Sequence, residues 1–292
     1  METESEAMWW GTLGSVRPFP NFRPERDVTV LHTALEKKDV STIVRLLTNR
    51  SNAQRRSLAQ VYKNFSQKVI SLCVGVRMLF RVCIHFLCVQ GAGTDEETLL
   101  EILCTRMPQQ LSDIRAAYSQ EYTRDLEKDL ISETSGDFSK LIVALLKVRS
   151  VVTPVLNLTS LSEELKNKKP AADIWIKLLT TRNPDHLRTV LEELEFEKGQ
   201  TVEDALEGHF KGVLSGDLKK GLKTLVQCIQ NQYLFLAQRL QTMKSQVVQG
   251  VMVAHSEEDL LRVRVAYLQS TGTSLYMALQ VSTHTHTHTL CV

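Results

Sequence analysis

Turn-forming residues are scarce in this sequence: 292 residues hold only 13 Gly and 7 Pro. That excludes a fold built from many hairpins and favours helices. Neither sign of charge is in excess. The net charge of +2 implies no strong field toward nucleic acid, and no nucleic-acid partner is expected. The six cysteines, Cys73, Cys83, Cys88, Cys104, Cys228 and Cys291, fall in no CxxC or Cys/His zinc spacing. A chain of this length does not need disulfide staples, so they read as free thiols of a reducing cytosol. Catalytic signatures are missing as well. No P-loop, Rossmann, nucleophile-elbow or HExxH pattern occurs, and His186 and His209 have no Ser or Cys nucleophile in a recognisable motif around them. No catalytic residue and no enzymatic activity are expected. Met1–Ala7 is acidic and polar, without the basic start that leads into the apolar core of a secretory signal, so none is expected.

Long apolar runs are limited to Val69–Val89, whose 21 residues match a membrane span in length. Arg77 and Arg81 share one face of it, with His85 one turn further on. Each Arg at mid-bilayer costs about 2.5–3.5 kcal/mol even on the lenient scale, so a span is not expected. The end of the chain alternates Thr and His from Thr283 to Thr289. His-rich tracts can hold zinc or nickel, but an uninterrupted AC dinucleotide tract encodes the same alternation in one frame, and that reading is the more economical.

What the sequence does contain is an internal repeat. Leu46-Leu47-Thr48-Asn49-Arg50, Ile102-Leu103-Cys104-Thr105-Arg106, Leu178-Leu179-Thr180-Thr181-Arg182 and Met252-Val253-Ala254-His255 align without gaps. Twelve residues beyond each marker stand Tyr62, Tyr118, Leu194 and Tyr267. Each unit reads as a helix, a break and a second helix. Thr94 and Glu97 form a capping box in the second unit, and Met107-Pro108 and Asn183-Pro184 begin helices. Ser135-Gly136-Asp137 and Ser215-Gly216-Asp217 open later ones. The markers are spaced by 56, 76 and 73 residues, so the first interval is short by one or two helices, and the deficit falls at Val69–Val89.

Gly91-Ala92-Gly93-Thr94-Asp95-Glu96 and Glu133-Thr134-Ser135-Gly136-Asp137-Phe138 resemble the calcium-loop motif and the distal acidic element of the annexin family. Trp10-Gly11-Thr12, Asn21-Phe22, Leu47–Asn52 and Leu225–Asn231 are most similar to the annexin II branch. The resemblance covers about residues 9–68 and 90–280. It implies an all-α fold of four repeats, each of five helices, whose convex face carries calcium bridged to acidic phospholipid. It divides the chain into an N-terminal tail (1–27), a partial repeat one (28–68), the aberrant apolar segment (69–89), repeat two (90–150), repeat three (151–229), a partial repeat four (230–281) and a Thr-His tail (282–292).

By the same resemblance, Ca2+ is the cofactor, held by the carbonyls of Val89, Gly91 and Gly93 and by the Glu133 carboxylate. Calcium is a hard cation that takes six to eight oxygens, and glycines let a loop fold back so that several carbonyls point inward. Asp95 and Glu96 read as helix-start charges rather than ligands. The other units depart from the motif: Leu35–Val40 lacks glycine, Lys166–Ala171 is basic and rigid, and Met243–Val247 reads as if its loop were excised. One site of four is therefore expected. The implied function is calcium-dependent binding to acidic membrane surfaces, in the cytoplasm and peripheral to the bilayer. The alternative is a calcium-insensitive helical scaffold. The annexin II branch binds an EF-hand protein through an amphipathic N-terminal helix. Met1–Met8 lacks the apolar pattern such a helix needs, so that partner is not expected. Trp9 and Trp10 are expected to pack the tail onto the fold.

Overall fold

A computed structural model describes residues 14–66, 96–147, 158–167, 171–181, 183–211 and 216–281. The described residues are helical, with no strand among them. The chain forms two compact units, Met1–Val82 with Ala237–Val292, and Cys83–Leu236. Val69–Val89, the loop Gly91–Thr94, Trp9, Trp10 and the Thr-His tail lie outside the described residues.

In the first unit, α1 (Pro24–Glu36) packs on α2 (Val40–Thr48) and α3 (Asn52–Ser66). Their core is Val28, Leu31, Leu58 and Tyr62, with Phe22, Ile43, Leu46 and Leu47 at its edge. In the second unit, α4 (Glu96–Thr105), α5 (Pro108–Tyr122), α6 (Leu126–Glu133) and α7 (Gly136–Leu146) form one group. Next come α8 (Leu158–Lys166), α9 (Ala172–Thr180), α10 (Pro184–Lys198), α11 (Val202–His209) and the start of α12 (Gly216–Gln241). α12 is interrupted at Asn231, whose φ of −156° and ψ of 91° are not helical. The Asn231 carboxamide oxygen accepts the Leu234 N–H at 3.0 Å and caps the second rod. That rod is followed by α13 (Ser245–His255), α14 (Leu260–Thr271) and helical residues 275–281.

Local chemistry sets these boundaries. Pro occupies the first position of α1, α5 and α10, where its missing N–H costs nothing. Asp39, Asp125, Asn183 and Thr201 each accept a backbone N–H at a helix start. Gly199 and Gly272, at φ of 65° and 70°, end α10 and α14 in the left-handed region. The repeat expected from the sequence is physical. Tyr62, Tyr118, Leu194 and Tyr267, each twelve residues past its marker, are between 0% and 4% exposed.

The markers serve their own repeats differently. Arg50 and Asp27 are buried together, with Nε to Oδ2 at 2.5 Å and Nη2 to Oδ1 at 3.0 Å, a two-pronged charge-assisted pair. The Phe19 ring covers the guanidinium at 3.8 Å. His255, also buried, meets Asp259 through Nδ1 at 2.6 Å. The first unit joins its two ends through Glu257, which accepts from the Asn52 N–H at 2.6 Å and from Arg55 at 3.2 Å. Residues 14–19 run across the same place: the Val16 N–H donates to the Ser256 carbonyl at 2.8 Å, and Phe19 exchanges two hydrogen bonds with Gln54.

Candidate metal centre

Glu133 is the last residue of α6 and is exposed. Its placement is set from both sides. At the start of α6, the Asp125 carboxylate accepts the N–H groups of Glu127 and Lys128 at 2.8 and 3.2 Å. Leu126 and Leu130 bury one face of the helix. Tyr118 donates its hydroxyl to Asp129, which also pairs with Arg124 at 2.7 Å, tying α6 to α5. At the far end Thr134 turns extended and its hydroxyl donates to the Leu130 carbonyl at 2.7 Å. Gly136 follows at φ of 60°, with open space around its Cα, so glycine answers the backbone conformation and not a crowded neighbour. Phe138, Leu141 and Ile142 then sink α7 into the core. Glu133 is thus held on a surface corner between two anchored helices.

The neighbouring acid, Asp137, is already committed. Lys140 lies 2.9 Å from Asp137 and 3.0 Å from Asp173 of α9, and the two carboxylates hold its ammonium pKa above the usual lysine value. Glu96 and Glu97 form the first turn of α4, as helix-start charges do. Val89, Gly91 and Gly93 lie outside the described residues, so of the four expected ligands the structure places Glu133 alone. Among the described residues there is no group of three or more His, Cys, Asp or Glu able to hold a metal ion. No described helix is long and apolar enough to cross a membrane.

The equivalent connections in the first and fourth repeats are closed turns. Between α1 and α2 the N–H groups of Lys37, Lys38 and Asp39 donate to the carbonyls of Thr33, Leu35 and Ala34, and Lys38 takes φ of 54°. That is a helix-ending motif usually made by glycine, here carried by lysine. Asp39 caps α2 through the Thr42 N–H at 3.0 Å, a bond that holds its carboxyl below the usual carboxylate range. Thr242, Met243 and Lys244 alone connect α12 to α13, with Met243 at φ of 49°. Both connections are short, and neither contains a glycine. In repeat three, aligning Ser215-Gly216-Asp217 on Ser135-Gly136-Asp137 sets Val213 where repeat two has Glu133. That missing acid could have been read from the sequence by the same alignment.

The family model described as Annexin matches residues 26–71 and 87–145, breaking inside the run Val69–Val89. The chain is similar to annexins in sequence over those two stretches and in fold over most of its length. The structure of annexin III is 28% identical, covers 94% of this chain and 94% of its own, and superposes with a TM-score of 0.79. Chicken annexin V is 28% identical over 93% of this chain and 95% of its own, at a TM-score of 0.75. A calcium-bound annexin (Sm)1 is 20% identical over 92% of this chain and 89% of its own, with a TM-score of 0.72, and speaks to the fold alone. The all-α repeat architecture expected from the sequence is therefore that of an annexin. Annexins as a family are peripheral, calcium-dependent membrane binders and are generally not enzymes.

Proposed function

We propose that this chain binds acidic phospholipid surfaces in a calcium-dependent manner, as a peripheral cytoplasmic protein, through a single full site in repeat two. The observation that supports this most directly is the exposed, anchored position of Glu133 at the end of α6. The donor set, carbonyls of Val89, Gly91 and Gly93 with the Glu133 carboxylate, is all oxygen and suits a hard cation. When bound, calcium supplies the positive charge to which a lipid phosphoryl oxygen can add. The protein's part is to present Glu133 at a corner open to solvent. Protein and lipid then share one ion, and each strengthens the other's hold on it.

The closed turns of repeats one and four and Val213 in repeat three support a single site rather than four. Avidity from several ions on one bilayer is then absent. One open site of this kind falls at roughly 10⁻⁴–10⁻³ M without lipid. Vesicle pelleting with phosphatidylserine against free calcium should give a Hill slope near one, and Glu133→Gln should abolish the calcium response. Calcium-stimulated binding unaltered in Glu133→Gln overturns the site. No response to calcium in the parent chain supports the scaffold reading instead.

A further inference from the structure

Repeat three ends α11 on a histidine where repeat two ends α6 on Glu133. Both helices have eight residues, Leu126–Glu133 and Val202–His209, and both bury their first and fifth, Leu126 with Leu130 and Val202 with Leu206. Gly136 follows Glu133 by three residues and Gly216 follows His209 by seven, so repeat three carries four extra residues after this helix. Counting back from Ser215-Gly216-Asp217 therefore lands on Val213, whereas the helices themselves set His209 in the place of Glu133.

Three buried polar atoms around this position have no hydrogen-bond partner: His209 Nε2, Glu164 Oε1 and Trp175 Nε1. Buried polar atoms are nearly always paired, so three together call for an occupant. Their side chains are neighbours. The Trp175 indole lies 5.5 Å from the imidazole, centroid to centroid, and the Phe210 ring lies 5.4 Å from the indole and 5.1 Å from the imidazole. The Leu165 backbone hydrogen-bonds the imidazole, and the charge of Glu164, one residue earlier on α8, acts on it. Because Nε2 has no partner, that bond is donated by Nδ1–H to the Leu165 carbonyl. The tautomer is thereby fixed with a lone pair on Nε2, the arrangement found in metal-ligating histidines. Burial lowers the ring's pKa against the raising effects of Glu164 and Leu165, so the ring is neutral at pH 7 and the lone pair is available.

We infer that His209 Nε2 and Glu164 Oε1 form a site for a borderline transition-metal ion of the Zn2+ class, with water in the remaining positions. An imidazole nitrogen beside a carboxylate oxygen suits Zn2+, Co2+ or Ni2+ and not Ca2+, which takes oxygen ligands. With two protein ligands the site is open and exchangeable, unlike the closed four-ligand sites that hold folds together. The Trp175 N–H is a donor and no ligand; the oxygen of a coordinated water accepts it.

The test uses Trp175 as the reporter in the full chain. Trp9→Phe and Trp10→Phe remove the other indoles, and His284→Ala, His286→Ala and His288→Ala remove the Thr-His tail as a competing ligand. Co2+ alone should quench Trp175 emission saturably, Zn2+ should displace it and restore the emission, and an excess of Ca2+ should do neither. His209→Gln and Glu164→Gln should each weaken Co2+ binding by at least about tenfold, the least that even an outer-shell change costs at a metal site. Glu164 is partly exposed, so its variant keeps the test alive if His209→Gln melts early in EDTA. Glu133→Gln should leave the quenching intact, which separates this site from the calcium centre of repeat two. Quenching that rises without saturation, survives both substitutions, yields to Ca2+ as readily as to Zn2+, or is lost in Glu133→Gln overturns the inference.

Discussion

Asp27→Asn tests the physical reading of the first repeat most sharply. Asp27 and Arg50 are 7% and 6% exposed, and two hydrogen bonds join them. Asparagine preserves shape and one acceptor but turns an NH2 group toward the guanidinium, so a donor faces a donor. Removing one partner of a buried pair costs about 3–5 kcal/mol. Arg50 retains the Asn49 carbonyl at 3.0 Å and the Phe19 ring, which argues for the lower end. A loss of about 3 kcal/mol is a large fraction of the ~5–15 kcal/mol that holds a domain together. With a urea m-value of about 1–3 kcal/mol/M, the unfolding midpoint should fall by about 1–3 M. Urea titration followed by hydrogen exchange in α1 and α3 localises the effect. The paired replacement Asp27→Leu with Arg50→Met should recover all but about 1 kcal/mol, because it leaves no buried charge. A loss below about 1 kcal/mol in Asp27→Asn would refute the argument that the pair is desolvated.

Gly221→Ala places a Cβ 2.5 Å from the Leu141 side chain and 3.4 Å from that of Leu100; urea unfolding should show a loss of about 1–3 kcal/mol from overpacking. Gly14→Ala brings its Cβ within 2.3 Å of the Glu257 backbone, so limited proteolysis should cut residues 14–22 faster than in the parent. Met243→Gly relieves a left-handed side chain at φ of 49° and should stabilise by roughly 1 kcal/mol in thermal melts. Burial lowers the His209 pKa below its usual value. The unfolded chain therefore takes up its proton first, and this contribution to stability is complete above about pH 6.5 and is lost as pH falls below it. The melting temperature of His209→Gln should fall less than that of the parent over that window; an equal fall would remove His209 as the cause.

Short-range chemistry carried much of this structure in the open. Helix starts at Pro108 and Pro184, the openings at Gly136 and Gly216, and the buried positions Tyr62, Tyr118, Leu194 and Tyr267 all follow from propensity and period. Glu133 fell at a helix end because Ser135-Gly136 must break the chain just after it. The bond from Asp27 to Arg50 was hidden, since a marker arginine does not announce its acceptor 23 residues upstream. Likewise nothing near Arg55 in sequence points to Glu257, 202 residues away. The turn at Lys38 was legible as lacking glycine, but its closure depends on carbonyls that become available only when α1 ends where it does. Asn231 ends the string most similar to the annexin II branch, while its work as a helix breaker and cap needed backbone angles to see.

The bond from the Asn52 N–H to Glu257 spans 205 residues of chain, and that has a consequence for biosynthesis. At ribosomal rates of about 5–20 residues per second, the first repeat waits roughly 10–40 s for its partner to emerge. The segment Cys83–Leu236 is by then complete and can settle by itself. During that interval Arg55 and the Asn52 N–H lack their partner and are open to chaperones and to neighbouring nascent chains. The N-terminal repeat, made first, is therefore finished last, and a ribosome stalled before Glu257 would release a chain whose oldest part is still unsealed.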